Sequence, residues 1–135
     1  MDDLVERNDL YFEKFTNTPF AGEVSGRNKG SIKNGKRDGV WINYWSNGQL
    51  KSEGNYKDGK KDGLQEWYYE NGQLGSKGNS KDGEEDGLWK SYYKNGQLDS
   101  NGNYKNGERD GLWEYFNKDG TLEKTETYRN GKVVE

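Results

Sequence analysis

The stretch G-L-W-K-S-Y-Y-K-N-G-Q-L-D-S-N-G-N-Y-K-N-G-E-R-D, from Gly87 to Asp110, is the third of four tandem copies in this chain. The others begin at Gly39, Gly63 and Gly111, so the period is 24 residues. Such self-similarity is the mark of a repeat architecture, in which each unit buries its apolar surface only against its neighbours. Each copy reads as two strands and two turns. Asn47-Gly48, Asn71-Gly72, Asn95-Gly96 and Asp119-Gly120 are strong short hairpin signals, and both central residues of a type I′ turn need positive φ. Between units the same chemistry recurs at Asn34-Gly35, Asp58-Gly59, Asp82-Gly83, Asn106-Gly107 and Asn130-Gly131. With Trp, Tyr and Leu runs between turns, the reading is an all-β, elongated, single-layer antiparallel meander of stacked hairpins.

Working outward, Gly30 to Asp38 matches the second half of a unit. The expected organisation is a single repeat domain. An N-terminal cap hairpin occupies 1–29 and a degenerate half repeat 30–38. Regular repeats span 39–62, 63–86 and 87–110, and a capping repeat spans 111–135. Tyr11 to Val24 reads as irregular strand with a turn at Thr16–Pro19, and Phe12, Phe15 and Phe20 are expected to close that end.

A two-residue turn at Asn47-Gly48 would set Trp45 against Leu50, Asn43 against Ser52 and Trp41 against Gly54 on one face. The third copy repeats this with Tyr93 and Leu98, Ser91 and Ser100, Trp89 and Gly102. A large ring opposite bare backbone is a packing device. In the fourth copy Glu126 replaces the glycine opposite Trp113, and Lys124 replaces the serine, as suits a cap. The other face carries Val40 and Tyr44, Leu64 and Tyr68, Leu88 and Tyr92, Leu112 and Phe116. Eight strands and an N-terminal hairpin, at about 4.8 Å per strand, give a twisted ribbon roughly 45–50 Å wide.

Composition narrows the chemistry. The 135 residues are only 27% hydrophobic, with 9 Leu, 5 Val, 2 Ile and 4 Phe. That is too little for a deep aliphatic core. Disorder is opposed by a net charge of only −3 and by 14% aromatics. The absence of Cys removes thiolate nucleophiles, disulfides and zinc–cysteine sites, and the absence of His removes the usual general base. No catalytic residue, metal site or cofactor is expected. Met1 to Arg7 is charged and lacks an apolar core, so the sequence as it stands reads as a soluble cytoplasmic protein, and as an exported one if a leader has been trimmed.

The motif Y-x-N-G-Q-L-x-S-x-G-N-Y-K-N-G-x-x-D-G-L-W, here Tyr93 to Trp113, resembles the bacterial variant of the MORN repeat (membrane occupation and recognition nexus). The resemblance runs from about Gly30 onward. Asp9 to Phe15 and Pro19 to Val24 also resemble the segment that often precedes such repeats in bacterial proteins. It implies stacked hairpins and no enzymatic activity, because the repeat has no catalytic residues to carry over. It also implies interaction roles, since some members look like antitoxin or immunity partners of toxins and others appear exported.

Five candidate chemistries remain. Asp38, Asp62, Asp86 and Asp110 recur before the glycine opening each unit; this is expected to be turn chemistry, not a row of calcium or catalytic carboxylates. The acidic loop Asp82-Gly83-Glu84-Glu85-Asp86 lacks a full D-x-D-x-D-G calcium pattern. Along the turn edge the charge of residues 33–38, 57–62, 81–86 and 105–110 is +2, +1, −3 and 0, too mixed for an anionic lipid surface. A negative chain also lacks the basic footprint of a nucleic-acid binder. Exposed Trp and Tyr on a shallow groove would also suit a glycan, but no side-chain cluster outside the repeat pattern specifies one. Protein recognition remains, because a single-layer sheet leaves aromatic surface exposed. The expected stripe is Trp41, Trp45, Trp67, Tyr69, Trp89, Tyr93 and Trp113. The expected role is a protein-binding or scaffolding module, toxin-neutralising in one form, with membrane or phospholipid attachment as the alternative. Regular β edges add self-association through edge strands, which Lys- and Asp-rich turns partly oppose.

Overall fold

The computed structural model describes residues 4–7, 10–13, 21–24 and 26–134, the first strands by backbone alone. It holds no helix among the described residues. Strands β1 (Leu4–Arg7) and β2 (Leu10–Glu13) pair as a two-stranded sheet of their own. The other strands form one open antiparallel sheet in sequence order. They are β3 (Gly22–Val24), β4 (Asn28–Lys33), β5 (Lys36–Tyr44), β6 (Leu50–Lys57), β7 (Lys60–Tyr68), β8 (Leu74–Lys81), β9 (Glu84–Tyr92), β10 (Leu98–Lys105), β11 (Glu108–Phe116), β12 (Leu122–Arg129) and β13 (Lys132–Val134). Eleven strands at about 4.8 Å spacing cover roughly 50 Å. The all-β meander with a 24-residue unit is therefore the fold observed. The expected turn at Thr16–Pro19 and the closing role of Phe12, Phe15 and Phe20 lie outside the described residues or side chains.

The two classes of Asn-Gly turn differ. At the inter-repeat turns both residues are left-handed, for example Asn106 at φ 52° and Gly107 at φ 81°. These are two-residue turns of the I′ kind, with Lys105 opposite Glu108. At Asn47-Gly48 only the glycine has positive φ. Gly48 donates its N–H to Trp45 O (2.9 Å) and Trp45 donates to Gln49 O (2.7 Å). The loop thus has three residues, Ser46 to Gly48, with the glycine in the left-handed position that follows a type I turn. The expected pairing of Trp45 with Leu50 is therefore corrected. Trp45 closes on Gln49, Tyr44 pairs with Leu50, and a register shift restores Asn43 opposite Ser52 and Trp41 opposite Gly54.

The difference goes with the side chain that precedes the glycine. Asn47 Oδ1 accepts the Gln49 N–H (2.9 Å), and Nδ2 donates to Glu70 O of the next unit (3.1 Å). Asn71 and Asn95 repeat both bonds one and two units on. Asp119 makes only the first of these bonds, accepting the Thr121 N–H (2.9 Å), and has no positive φ either, so it is the bond to the N–H two residues on that accompanies the three-residue turn.

Asp38, Asp62, Asp86 and Asp110 do not sit in turns, contrary to expectation. They lie inside β5, β7, β9 and β11, where a second register shift makes room for the Gly that follows. Such bulges bend the strand and increase its twist. Two shifts per unit therefore coil the ribbon further than regular pairing would.

The core is thin and aromatic. Among the described residues the buried hydrophobics are Ile32, Trp41 and Trp113, with buried Gln65 and Ser80 beside them. Val40, Leu64, Leu88 and Leu112 stay exposed on the other face. Glu126 pairs with Trp113 and Lys124 with Tyr115 in the last unit, and Lys124 Nζ bridges Glu126 at 2.7 Å. The outermost strands, β3 and β13, are three residues each. Short edges leave little backbone for another chain to pair with.

Candidate functional site

The aromatic face is built from one repeated device. A glycine on one strand is covered by the ring of the residue eleven positions later. A methyl placed on Gly30, Gly78 or Gly102 would fall among the ring carbons of Trp41, Trp89 or Trp113. The register sets Trp41 opposite Gly54 and Trp89 opposite Gly102, as the spacing predicts, but each ring leans to the preceding strand instead. Its indole N–H then reaches a carbonyl ten residues back: Trp41 to Ser31 (3.0 Å), Trp89 to Asn79 (2.7 Å) and Trp113 to Asn103 (2.9 Å). In unit two Gln65 takes this place over Gly54 and donates its amide to Asn55 O (2.8 Å).

Of the seven stripe residues, Trp41 and Trp113 are 1% and 3% exposed, so the core absorbs them. Trp45, Trp67, Tyr69, Trp89 and Tyr93 remain part-exposed. Trp45 and Trp67 meet edge to face at 6.2 Å, and Trp67 meets Tyr69 at 4.9 Å. Offset or perpendicular ring pairs of this kind gain about 0.5–1.5 kcal/mol beyond area burial. These three rings line a hollow of about 470 Å³ rimmed by Glu70, Asn71 and Lys94. Polar tips lock the row at its turn edge. Trp45 Nε1 donates to Tyr68 O (3.0 Å), Tyr69 Oη to Tyr92 O (2.7 Å) and Tyr93 Oη to Phe116 O (2.5 Å). One side chain per unit thus ties its turn to the next unit while its ring stays at the surface. A neighbouring cleft of about 230 Å³ lies between units one and three, floored by Asn43, Ser52, Gly54 and Ser76 and walled by Trp41, Gln65, Trp67 and Trp89.

The spacing argument missed the cations on this face. Arg37 Cζ lies 4.5 Å from the Trp41 ring centroid, and Arg109 Cζ lies 4.9 Å from that of Trp113. Lys51 covers Trp45 at 4.8 Å. Arg109 also donates to Tyr115 Oη (2.8 Å) and Tyr128 Oη (3.2 Å), while the two hydroxyls meet at 2.7 Å. Burial by itself would ease its deprotonation, but hydrogen bonds to Tyr104 and Tyr128 outweigh that and hold the guanidinium more firmly protonated than usual. Burial, and then the bond to Tyr128, push the Tyr115 hydroxyl well above the ordinary phenol range. The legible signal was an arginine four residues before each of these two tryptophans, with a tyrosine fifteen after.

Among the described residues no group of three or more Asp or Glu is placed to hold a metal. No helix there is long and apolar enough to cross a membrane. What the face offers is open, rigid aromatic surface with charged rims.

A family model described as "MORN repeat variant" matches residues 37–58, 61–82, 85–106 and 109–134, about two thirds of the chain. A comparison with curated proteins returns no match.

Proposed function

This chain belongs to the MORN repeat variant family, and we propose that it is a non-catalytic protein-binding module whose docking surface is the aromatic face of the sheet. One observation carries the reading: Trp45, Trp67, Tyr69, Trp89 and Tyr93 form a part-exposed row across three units, held rigid by the hydrogen bonds of Trp45, Tyr69 and Tyr93 to the next unit. Rigid aromatic anchors lose little conformational entropy on binding, and Trp and Tyr dominate binding energy at protein interfaces. The open hollow beside Tyr69 is the natural pocket for an apolar anchor from the partner. Scaffolding and toxin neutralisation are both forms of this reading, and the identity of the bound protein separates them.

The test is affinity capture from the source organism's lysate, read by mass spectrometry. Wild type runs beside two variants. One changes Trp45, Tyr69 and Tyr93 to Ala, after circular dichroism shows that it folds. The other reverses rim charges with Glu70→Lys and Lys94→Glu, at exposed positions that leave the packing intact. A protein enriched by wild type and lost in both variants supports the reading. Capture unchanged in both moves the site off this face. Flotation on anionic liposomes at low and high salt tests the membrane alternative; salt-sensitive flotation would favour it.

A further inference from the structure

In units one and four a guanidinium is seated on the repeat tryptophan, and in unit three that seat is bare. Arg37 and Arg109 lie over Trp41 and Trp113, whose rings cover Gly30 and Gly102. Each ring is thus packed between backbone and cation. Trp89 covers Gly78 in the same manner and makes the same indole bond, to Asn79 O. Yet the residue at the arginine position is Glu85, which pairs with Ser80 as Arg109 pairs with Tyr104. Among the described residues no cation stands over Trp89. The consequence is visible in burial, since Trp41 and Trp113 are enclosed and Trp89 is part-exposed.

The surroundings of Trp89 are opened in step. Ser80 and Ser91 stand where Tyr104 and Tyr115 stand 24 residues on, around Trp113. One wall is kept: Tyr104 meets Trp89 at 6.2 Å and 85°, as Tyr128 meets Trp113 at 6.3 Å and 79°. The face of an indole carries negative potential, so it attracts a cation and repels a carboxylate. Glu85 therefore cannot replace the arginine on the ring. It puts a negative charge instead at the strand position from which Arg37 and Arg109 reach their rings. Glu85 also lines a hollow of about 330 Å³ with Asp82, Glu84 and Asp86, the acidic turn of the chain, where Lys81 is the one cation in the lining. Among the described residues none of these carboxylates has an ion-pair partner.

We propose that the notch formed by Trp89 and Tyr104, with Glu85 at its rim, receives an arginine side chain from a partner protein, in the place that Arg37 and Arg109 fill from within the chain. The inference rests on the protein-binding reading above and names the chemistry of one anchor. Arginine fits better than lysine because its flat guanidinium stacks on the ring while its N–H groups reach a carboxylate. Both of the chain's own occupants are arginines.

The test uses the full chain and a defined probe, acetyl-Gly-Gly-Arg-Gly-Gly-amide, with the same peptide carrying neutral citrulline as control. The readout is the Trp89 indole N–H resonance. Wild type should bind the arginine peptide saturably, with Kd roughly 1–10 mM, and the citrulline peptide about fivefold or more weakly. Glu85→Arg should abolish the response, because it seats the chain's own guanidinium on Trp89. The fold tolerates this residue at the equivalent position, since Arg37 of the half repeat and Arg109 of unit three occupy it. Glu85→Gln keeps the ring and should weaken binding about threefold or more by removing the charge. Equal binding of citrulline, unchanged binding by Glu85→Arg, or no Trp89 response would each overturn the proposal. A captured partner that is lost by the Trp45, Tyr69 and Tyr93 variant but kept by Glu85→Arg would overturn the arginine seat alone and leave the protein-binding role standing.

Discussion

The ring of Trp113 covers the backbone of Gly102 on the preceding strand and donates its N–H to the carbonyl of Asn103 at 2.9 Å. Glycine is required there by contact, since a methyl would overlap the ring. Gly102→Ala should destabilise the protein by about 1–3 kcal/mol, the usual cost of overpacking. Gly111→Ala differs in kind. Nothing lies near its missing methyl, but its φ is +76°, so about 1–2 kcal/mol of backbone strain is expected. Urea titrations of both variants check the pair, and a crystal structure of Gly102→Ala should show Trp113 displaced while Gly111→Ala leaves it in place.

Gln65 is the one interruption in the column of tryptophans over glycine. It keeps the hydrogen bond but not the aromatic area, and Gly54 already presents the bare backbone that an indole would cover. Gln65→Trp should therefore raise stability by about 1 kcal/mol. A lowered urea midpoint would mean that Trp67 and Tyr56 leave too little room for the larger ring.

The two Asn-Gly classes should answer glycine differently. Asn106 sits at φ 52° in a two-residue turn, so Asn106→Gly should change stability by less than about 0.5 kcal/mol. Asn95 instead accepts from Gln97 N and donates to Lys118 O of the next unit, each at 2.9 Å. Asn95→Gly loses both bonds and should cost about 1 kcal/mol or more. Thermal melts of the two single variants decide this; equal effects would mean that the side-chain bond between units contributes nothing.

Acid should loosen the C-terminal hairpin first. The Thr121 hydroxyl, then its backbone N–H, hold the Asp119 carboxyl below the usual range, and the bond to Lys124 does the same for Glu126. A depressed folded value means that the unfolded chain takes up its protons first as pH falls. Both contributions are therefore complete above the unfolded values near pH 4 and disappear as pH drops through the folded ones. Amide exchange at Thr121 and Thr125, followed from pH 6 to pH 2, should show this loss, and Asp119→Asn should flatten the response at Thr121.

Alkali acts through Tyr115. Burial and its bond to Tyr128 raise its value in the folded state, so the stabilisation is complete below about pH 10 and is lost as pH rises through the folded value. Tyr115→Phe should reduce the slope of stability against pH above about 10, measured by urea titration at fixed pH.

The 24-residue period, the strand pairing and the faces of the sheet were legible in the sequence because they follow from alternation and from turn residues spaced at fixed intervals. Trp41 opposite Gly54 and Asn43 opposite Ser52 came out of that arithmetic directly. Three features did not. Asn47 and Asn106 are each followed by glycine yet make different turns, and Asn47, like Asp119, turns its side-chain oxygen back to the N–H two residues on, which the dipeptide alone does not reveal. Asp62 precedes Gly63 inside a strand and not in a turn, because bulged pairing with β6 accommodates it there.

The direction in which the rings lean was also hidden. Trp89 has glycines on both sides, Gly78 and Gly102, and sequence spacing treats them alike. The right-handed twist and the bulges break that symmetry and bring Gly78 under the ring.

By itself, then, the sequence determined that this chain is an antiparallel meander of repeating hairpins with a face of aromatic rings over glycines. Those properties are local or periodic, and period-two alternation and turn chemistry carry them. The tertiary structure alone decided which aromatics are core and which are surface. Trp41, Trp89 and Trp113 are equivalent in the repeat, yet two are enclosed under arginines and one is left open. Burial depends on the residue four positions earlier in the same strand, Arg37, Arg109 or Glu85, together with the rings that neighbouring strands set beside the indole, such as Tyr128 at Trp113, and only the packed sheet brings those neighbours to it.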